Sequence, residues 1–194
     1  MKPKVVIMGL GYIGLPTAAL IASRGIQVHG VDVSEKIVKM TNEGRVHIVE
    51  PDLEGLVHHV VKKGYLKASS QPKEADVFLI TVPTPFKNGY TPDLSFVESA
   101  TKMIAPFLKK DNLVIIESTS PVGTTERMYN LLQSLRPDLF PSPSIHSFTP
   151  TPIYMAYCPE RVLPGKILYE LEHNDRIIGG INPESTKKAK KFYF

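Results

Sequence analysis

Apolar and polar positions alternate along this chain in a repeating order. Val5–Met8 is a short apolar run closed by Gly9, the pattern of a buried strand. Residues 15–24 are Ala-rich and helical, and Gly25 stops them. Residues 27–31 form a second strand pattern ending at Asp32. Ser34 suits the cap of a helix over 35–43, with Gly44 just beyond. Pro51 and Asp52 suit the start of another helix, running to about residue 63 before Gly64. Residues 65–68 read as a short strand, and 77–82 as a buried strand closed by Pro83 and Pro85. Asp93 suits the cap of a helix over 94–109. Strands follow at 113–117, 154–158 and 176–178, with a helix over 124–135. Strands alternating with helices predict an α/β fold of right-handed βαβ units, a mostly parallel sheet with helices on both faces. One segment, 141–152 (PSPSIHSFTPTP), holds four prolines and breaks the rhythm. It is expected to be a mobile surface loop, not a domain boundary.

Composition narrows the class. With 194 residues, 42% hydrophobic and 22% charged, the chain holds one domain or slightly more and is not intrinsically disordered. A single cysteine, Cys158, excludes a disulfide scaffold and points to a reducing compartment. No apolar run approaches the roughly eighteen residues that span a bilayer, and the N-terminal apolar run is too short for a signal-peptide core. A cytoplasmic protein without a membrane partner is expected. The net charge of +4 and pI near 9.0 favour anionic partners, nucleic acid or phosphorylated small molecules. The densest basic cluster, Lys187, Lys188, Lys190 and Lys191, reads as a solvated helix face, because no recognition pattern for nucleic acid accompanies it.

Gly9-Leu10-Gly11-Tyr12-Ile13-Gly14 is a G-x-G-x-x-G string between a strand and a helix. In that setting Gly9 permits the tight turn and Gly11 lets a pyrophosphate approach the backbone. Gly14 lets the helix pack close to the strand. The helix N-terminus offers unpaired N–H groups and partial positive charge to the phosphates. Asp32 lies 18 residues past Gly14, at the end of the second strand. A carboxylate there accepts hydrogen bonds from ribose hydroxyls and repels a 2′-phosphate, so NAD is favoured over NADP. The expected domain is Rossmann-like.

Ligands of open α/β sheets bind beyond the carboxyl ends of the strands. Three further strand ends therefore stand out: 81–85 with Thr84, 117–125 with its row of hydroxyls, and 157–165 with Glu160 and Arg161 between prolines. The hydroxyls serve equally well as helix caps and turn formers. Arg161 can fork onto a phosphate or carboxylate and Glu160 can act as a base, or the two can be an exposed ion pair on a rigid turn.

The stretches GLGYIGLPTAA, HIVEPDL, VPTPF, ESTSPVGTTE, YCPERVLPG and NDRIIGG, in that order, carry a resemblance. The chain is similar to the nucleotide-sugar 6-dehydrogenases, most closely to the branch acting on UDP-N-acetyl-D-mannosamine. The resemblance implies oxidation of the sugar C6 alcohol to a carboxylate in two NAD-dependent steps, giving UDP-N-acetylmannosaminuronate for polysaccharide biosynthesis. A cysteine thiolate would capture the aldehyde, and water would hydrolyse the thioester. It implies that Gly9, Gly11, Tyr12, Ile13, Gly14, Asp32, Thr84 and Thr125 bind NAD. Thr119 would help hold the catalytic water, Glu160 would be the acid/base carboxylate, and Arg161 and Val162 would meet the UDP-sugar. UDP-glucose-type members carry a second glutamate four residues after the first, where this chain has Pro164, which argues against UDP-glucose.

The family's nucleophilic cysteine and general-base lysine lie further along than these residues. Cys158, beside Pro159, does not match the nucleophile motif and reads as structural. Asn182, Pro183 and Glu184 start a helix that stops at Phe192-Tyr193-Phe194, aromatics that want a partner surface a free end lacks. The expectation is an NAD-binding domain over 1–181 and, over 182–194, the start of a truncated connecting helix. The chain alone would be inactive, and the full-length protein is expected to be a homodimer. The scattered histidines, and Glu54 with His58, make no metal site. Other readings stay open: a dehydrogenase of another UDP-sugar such as UDP-N-acetylglucosamine, a short hydroxyacid dehydrogenase, a non-catalytic NAD-binding or assembly module, or a nucleic-acid binder.

Overall fold

The structure, a computed structural model, describes residues 2–87, 89–140 and 153–194. In chain order the elements are β1 (Val5–Met8), α1 (Gly14–Ser23), β2 (Val28–Val31), α2 (Glu35–Asn42), α3 (Leu53–Lys62), β3 (Leu66–Ser69), β4 (Val77–Ile80), β5 (Phe86–Lys87), β6 (Thr91–Pro92), α4 (Ser95–Ile104), β7 (Leu113–Ile116), α5 (Thr124–Leu135), β8 (Tyr154–Tyr157), α6 (Ile167–His173), β9 (Gly179–Gly180) and α7 (Pro183–Tyr193). The predicted 141–152 loop lies outside the described residues.

The strands β1, β4 and β7 are buried from end to end, because helices cover both faces of the sheet. Alternate side chains go to opposite sides. Val5, Ile7, Leu79 and Ile115 pack with Leu15 of α1, Leu53 of α3 and Ala189 of α7. Val6, Phe78, Ile80, Val114 and Met155 pack with Val97 and Ile104 of α4 and Met128 and Leu132 of α5. Each such fully buried large side chain contributes about 1.5–3 kcal/mol.

The sheet order is β3-β2-β1-β4-β7-β8-β9. All pairs are parallel except β8–β9, which is antiparallel. The chain leaves β1 toward β2 and β3, then returns to add β4 on the other side. That reversal opens a crevice at the carboxyl ends of β1 and β4, the topological switch point where such folds bind ligands.

Several local expectations change. The helix expected over 94–109 is α4 followed by a 3-10 turn over Ala105–Phe107, because Pro106 has no N–H to continue the ladder. Asp93 is not its N-cap: it accepts a hydrogen bond from Ser95 N and pairs with Lys87. Asp52 begins α3 without a side-chain cap, in the left-handed region at φ 61°. The strand expected at 176–178 is β9, three residues later. There Gly180 lies so close to α7 that a Cβ would meet Thr186 N at 2.3 Å. The helix α6 and the β5–β6 hairpin are additional.

The C-terminal aromatics also differ from expectation. Phe192 and Tyr193 pack against the domain's own core, and Phe194 alone is largely exposed. Lys188 is not merely solvated: its Nζ lies 4.0 Å from the centre of the Tyr154 ring and donates to the Asp111 carbonyl. Asn182 caps α7 by accepting from Ser185 N at 2.8 Å, with Pro183 in the first turn, as the sequence predicts.

Candidate functional site

The β1–α1 loop is shaped by what its glycines leave out. Gly9 turns at φ +94°, and a Cβ there would press on the Thr81 carbonyl at 3.1 Å. A Cβ on Gly14 would meet the Gly9 carbonyl oxygen at 1.9 Å, so only glycine lets α1 start this close to β1. A Cβ on Gly11 would meet nothing within 4 Å. Gly11 therefore faces open space at the loop's outer surface. Among the described residues no group accepts from the N–H of Gly11, Tyr12 or Ile13, and no side chain caps α1. Thr81 Oγ1 staples the loop to β4 by donating to the carbonyls of Met8 and Gly9. Leu10 points inward instead, onto Gly30 of β2, where a Cβ would come within 2.7 Å of it. Both Thr81 and Gly30 escape a motif search, since each acts through a contact distant in sequence.

Asp32 stands at the carboxyl end of β2. One oxygen accepts from Leu10 N at 2.9 Å and the other from Ser34 N at 2.9 Å. The carboxylate is thus fixed beside the glycine loop. Tyr12 and Val33 are exposed around it. His47 is close enough to feel the Asp32 charge; burial lowers its pKa and Asp32 opposes that. An open glycine, free N–H groups and an anchored acid together fit the pyrophosphate and ribose of a dinucleotide.

The other predicted residues occupy the same edge of the sheet. Thr84, after β4, donates through Oγ1 to the Thr119 carbonyl, after β7, at 2.6 Å. Thr125 lies in the first turn of α5, whose N-cap Gly123 takes φ +87°. Ser118 Oγ donates to the Val82 carbonyl at 2.6 Å, tying the ends of β4 and β7 together.

Beyond β8 the pairing differs from the sequence expectation. Glu160 and Arg161 are not an ion pair. Arg161 is exposed and donates to the Asp175 carbonyl, while the Glu160 side chain, 8% exposed, pairs with Arg176. Val162 is half-buried beside it. Arg176 also donates to the Leu171 carbonyl, and its guanidinium lies 4.3 Å from the centre of the Tyr193 ring. The Tyr193 hydroxyl donates to Glu117 Oε1 at 2.5 Å. Glu117 and Arg176 lie inside the ESTSPVGTTE and NDRIIGG stretches without a role assigned to them, and Tyr193 lies outside every such stretch. Burial, with Glu160 nearby, pushes the Glu117 carboxyl up to about 7. Burial also raises Glu160, against the pull of Arg176. Cys158 is fully buried, and burial with the Glu117 charge pushes its thiol up to about 11. Such a thiol is not a nucleophile at neutral pH.

Glu50, inside the HIVEPDL stretch, accepts from Gly165 N at 2.8 Å and Ile167 N at 2.7 Å. It caps α6 from a distant segment and holds the loop that carries Glu160 and Arg161. Among the described residues no cluster of three or more His, Cys, Asp or Glu could hold a metal, and no helix is long and apolar enough to cross a membrane.

Comparison with known proteins agrees with this geometry. Residues 3–194 match the model of the UDP-glucose/GDP-mannose dehydrogenase family, NAD binding domain. The chain is similar to a UDP-N-acetyl-D-mannosamine dehydrogenase of Campylobacter jejuni, 55% identical over 98% of this chain and 46% of that protein. It is also similar to an NDP-N-acetyl-D-galactosaminuronic acid dehydrogenase of Ralstonia nicotianae, 52% identical over 96% of this chain and 44% of that one. Among solved structures, the UDP-N-acetyl-mannosamine dehydrogenase of Staphylococcus aureus superposes with a TM-score of 0.87 at 40% identity, covering 98% of this chain and 44% of its own. The chain spans under half the length of these relatives.

Proposed function

The chain belongs to the UDP-glucose/GDP-mannose dehydrogenase family, and we propose that it is the NAD-binding part of a UDP-N-acetylmannosamine 6-dehydrogenase. The observation that carries this reading is the open face of Gly11 next to Asp32, whose carboxylate is fixed by Leu10 N and Ser34 N. NAD, when bound, supplies the hydride acceptor for both oxidation steps, which take the C6 alcohol to the carboxylate. The chain's own residues bind and position. Gly9, Gly11, Tyr12, Ile13 and Gly14 cradle the pyrophosphate, Asp32 accepts from the ribose hydroxyls, and Thr84 and Thr125 flank the nicotinamide end. Thr119 orients the water of thioester hydrolysis, and Glu160 holds and releases its proton. Arg161 and Val162 meet the sugar nucleotide. The nucleophilic thiol is not Cys158, which is buried and held protonated.

In this reading residues 1–181 are the cofactor domain and 182–194 begin a connecting helix. The full-length enzyme works as a cytoplasmic homodimer on a UDP-sugar and without nucleic acid. The similarity to the Ralstonia nicotianae protein favours a second reading of the substrate, another nucleotide-linked N-acetylhexosamine.

Calorimetric titration with NAD tests the cofactor assignment. The wild-type chain binds NAD and Asp32→Ala binds much more weakly; no binding by the wild type, or equal binding by the variant, refutes it. A turnover assay of the 194-residue chain with UDP-sugar and NAD yields no NADH, and measurable NADH would show that the chain already contains the thiol chemistry.

A further inference from the structure

Four side chains form a continuous run behind the strand ends. Glu117 follows β7, Glu160 follows β8, Arg176 precedes β9, and Tyr193 ends α7. The contacts run from the Glu117 carboxyl to the Tyr193 hydroxyl, from the Tyr193 ring to the Arg176 guanidinium, and from Arg176 to the Glu160 carboxylate. Two carboxyls thus meet around one positive charge, at a place where neither is more than 8% exposed.

We propose that Glu117 and Glu160 are a coupled carboxyl pair sharing the one guanidinium of Arg176, with Glu117 the neutral, positioning member and Glu160 the ionised, reactive one. The role given to Glu160 rests on the function proposed above.

The geometry distinguishes the two members. Glu160 touches Arg176 directly, so its negative charge is compensated. Glu117 has no such contact. Its Oε1 accepts from a phenol, and its Oε2 has no partner among the described residues although it is buried. An ionised carboxylate with a bare buried oxygen is costly; protonation removes the charge, and the one unpaired O–H it leaves costs less than an uncompensated buried anion. Placing the proton on Glu117 leaves Arg176 undivided, facing a single anion. If both ionised, the guanidinium would be drawn toward two anions and its hold on Glu160 would loosen. Every other titratable group near the pair is consistent with this assignment. The Cys158 thiol and the Tyr193 phenol are both raised, hence neutral, and Arg161 adds positive charge on the Glu160 side. Burial and the neighbouring Glu160 charge both push the Glu117 carboxyl upward, in agreement. The member that titrates second does so against the charge of the first, so Glu117 should report the presence of Glu160.

The test is a carboxyl carbon NMR titration of the 194-residue chain labelled at glutamate, from about pH 4 to about pH 9, with Glu117→Gln and Glu160→Gln assigning the two signals. Glu117 is expected to titrate near about 7. Glu160→Gln should move the Glu117 midpoint down, whereas Glu117→Gln should leave the Glu160 midpoint in place, because Glu117 is neutral where Glu160 titrates. Two glutamates with merely structural roles would produce no such one-sided shift. Two ordinary, independent titrations in the wild type overturn the pair, and that result stands even if a variant fails to fold. NAD calorimetry on the same sample separates the two readings. A chain that binds NAD but shows no coupling refutes the pair alone. A chain that shows coupling but no NAD binding refutes the function and leaves the pair supported.

Discussion

At the β1–α1 loop, the groups that face a ligand are backbone: N–H groups and an absent side chain at Gly11. At the ends of β7 and β8, long side chains drawn from four places in the chain, Glu117, Glu160, Arg176 and Tyr193, pack on one another behind the sheet edge. The first region is rigid because atoms are missing, and the second because charges and rings are packed. A backbone cradle depends on space and is indifferent to pH. A buried charge cluster depends on compensation and responds to it. One domain thus carries two regions held together by opposite means.

The largest effect should fall on the charged side. Arg176→Met leaves the Glu160 carboxylate buried without its counter-ion, and should cost about 4 kcal/mol at neutral pH. Denaturant unfolding should show that loss shrinking in acid, where Glu160 is protonated; an equal loss at both pH values would break the contrast. On the backbone side, Gly14→Ala should cost about 3 kcal/mol and abolish NAD binding, because the added carbon overlaps the Gly9 carbonyl. Its loss should be the same at every pH.

The pH response itself follows from Glu117. Its folded carboxyl lies above the ordinary 4.5, at about 7, so the fold binds the proton more tightly than the unfolded chain. The associated stabilisation is complete below 4.5 and is lost as pH rises to about 7, by about 3 kcal/mol. Thermal melts of Glu117→Gln should lack that slope. Glu50→Gln should cost about 2 kcal/mol by weakening two charge-assisted hydrogen bonds, read from the urea midpoint. Smallest of all, Gly11→Ala should leave stability within about 0.5 kcal/mol of wild type while weakening NAD roughly tenfold in calorimetry.

The same contrast explains what could be read from the sequence. The glycine loop, Asp32 and the order of strands and helices were legible, because each rests on neighbours a few residues away. Ser34 and Asn182 were legible as caps for the same reason. The charged cluster was not. Glu117 reads as the end of an apolar strand, Arg176 as the start of one, and Tyr193 as an unsatisfied aromatic; only the fold brings them together. Glu160 was identified, but its partner was sought one residue away in Arg161, although it lies 16 residues on in Arg176. Helix α6 was missed because its cap, Glu50, is 117 residues from Ile167. The β9 position was missed because a two-residue strand has no period to detect.

Glu50 also sets a clock for the molecule. The amides of Gly165 and Ile167 are held by the two oxygens of one carboxylate, so they should exchange with solvent deuterium in a single opening event. The loop bearing Glu160 cannot swing outward without releasing the segment that leads into α3. Opening of the 160–165 loop is therefore tied to a side chain more than 100 residues earlier in the chain.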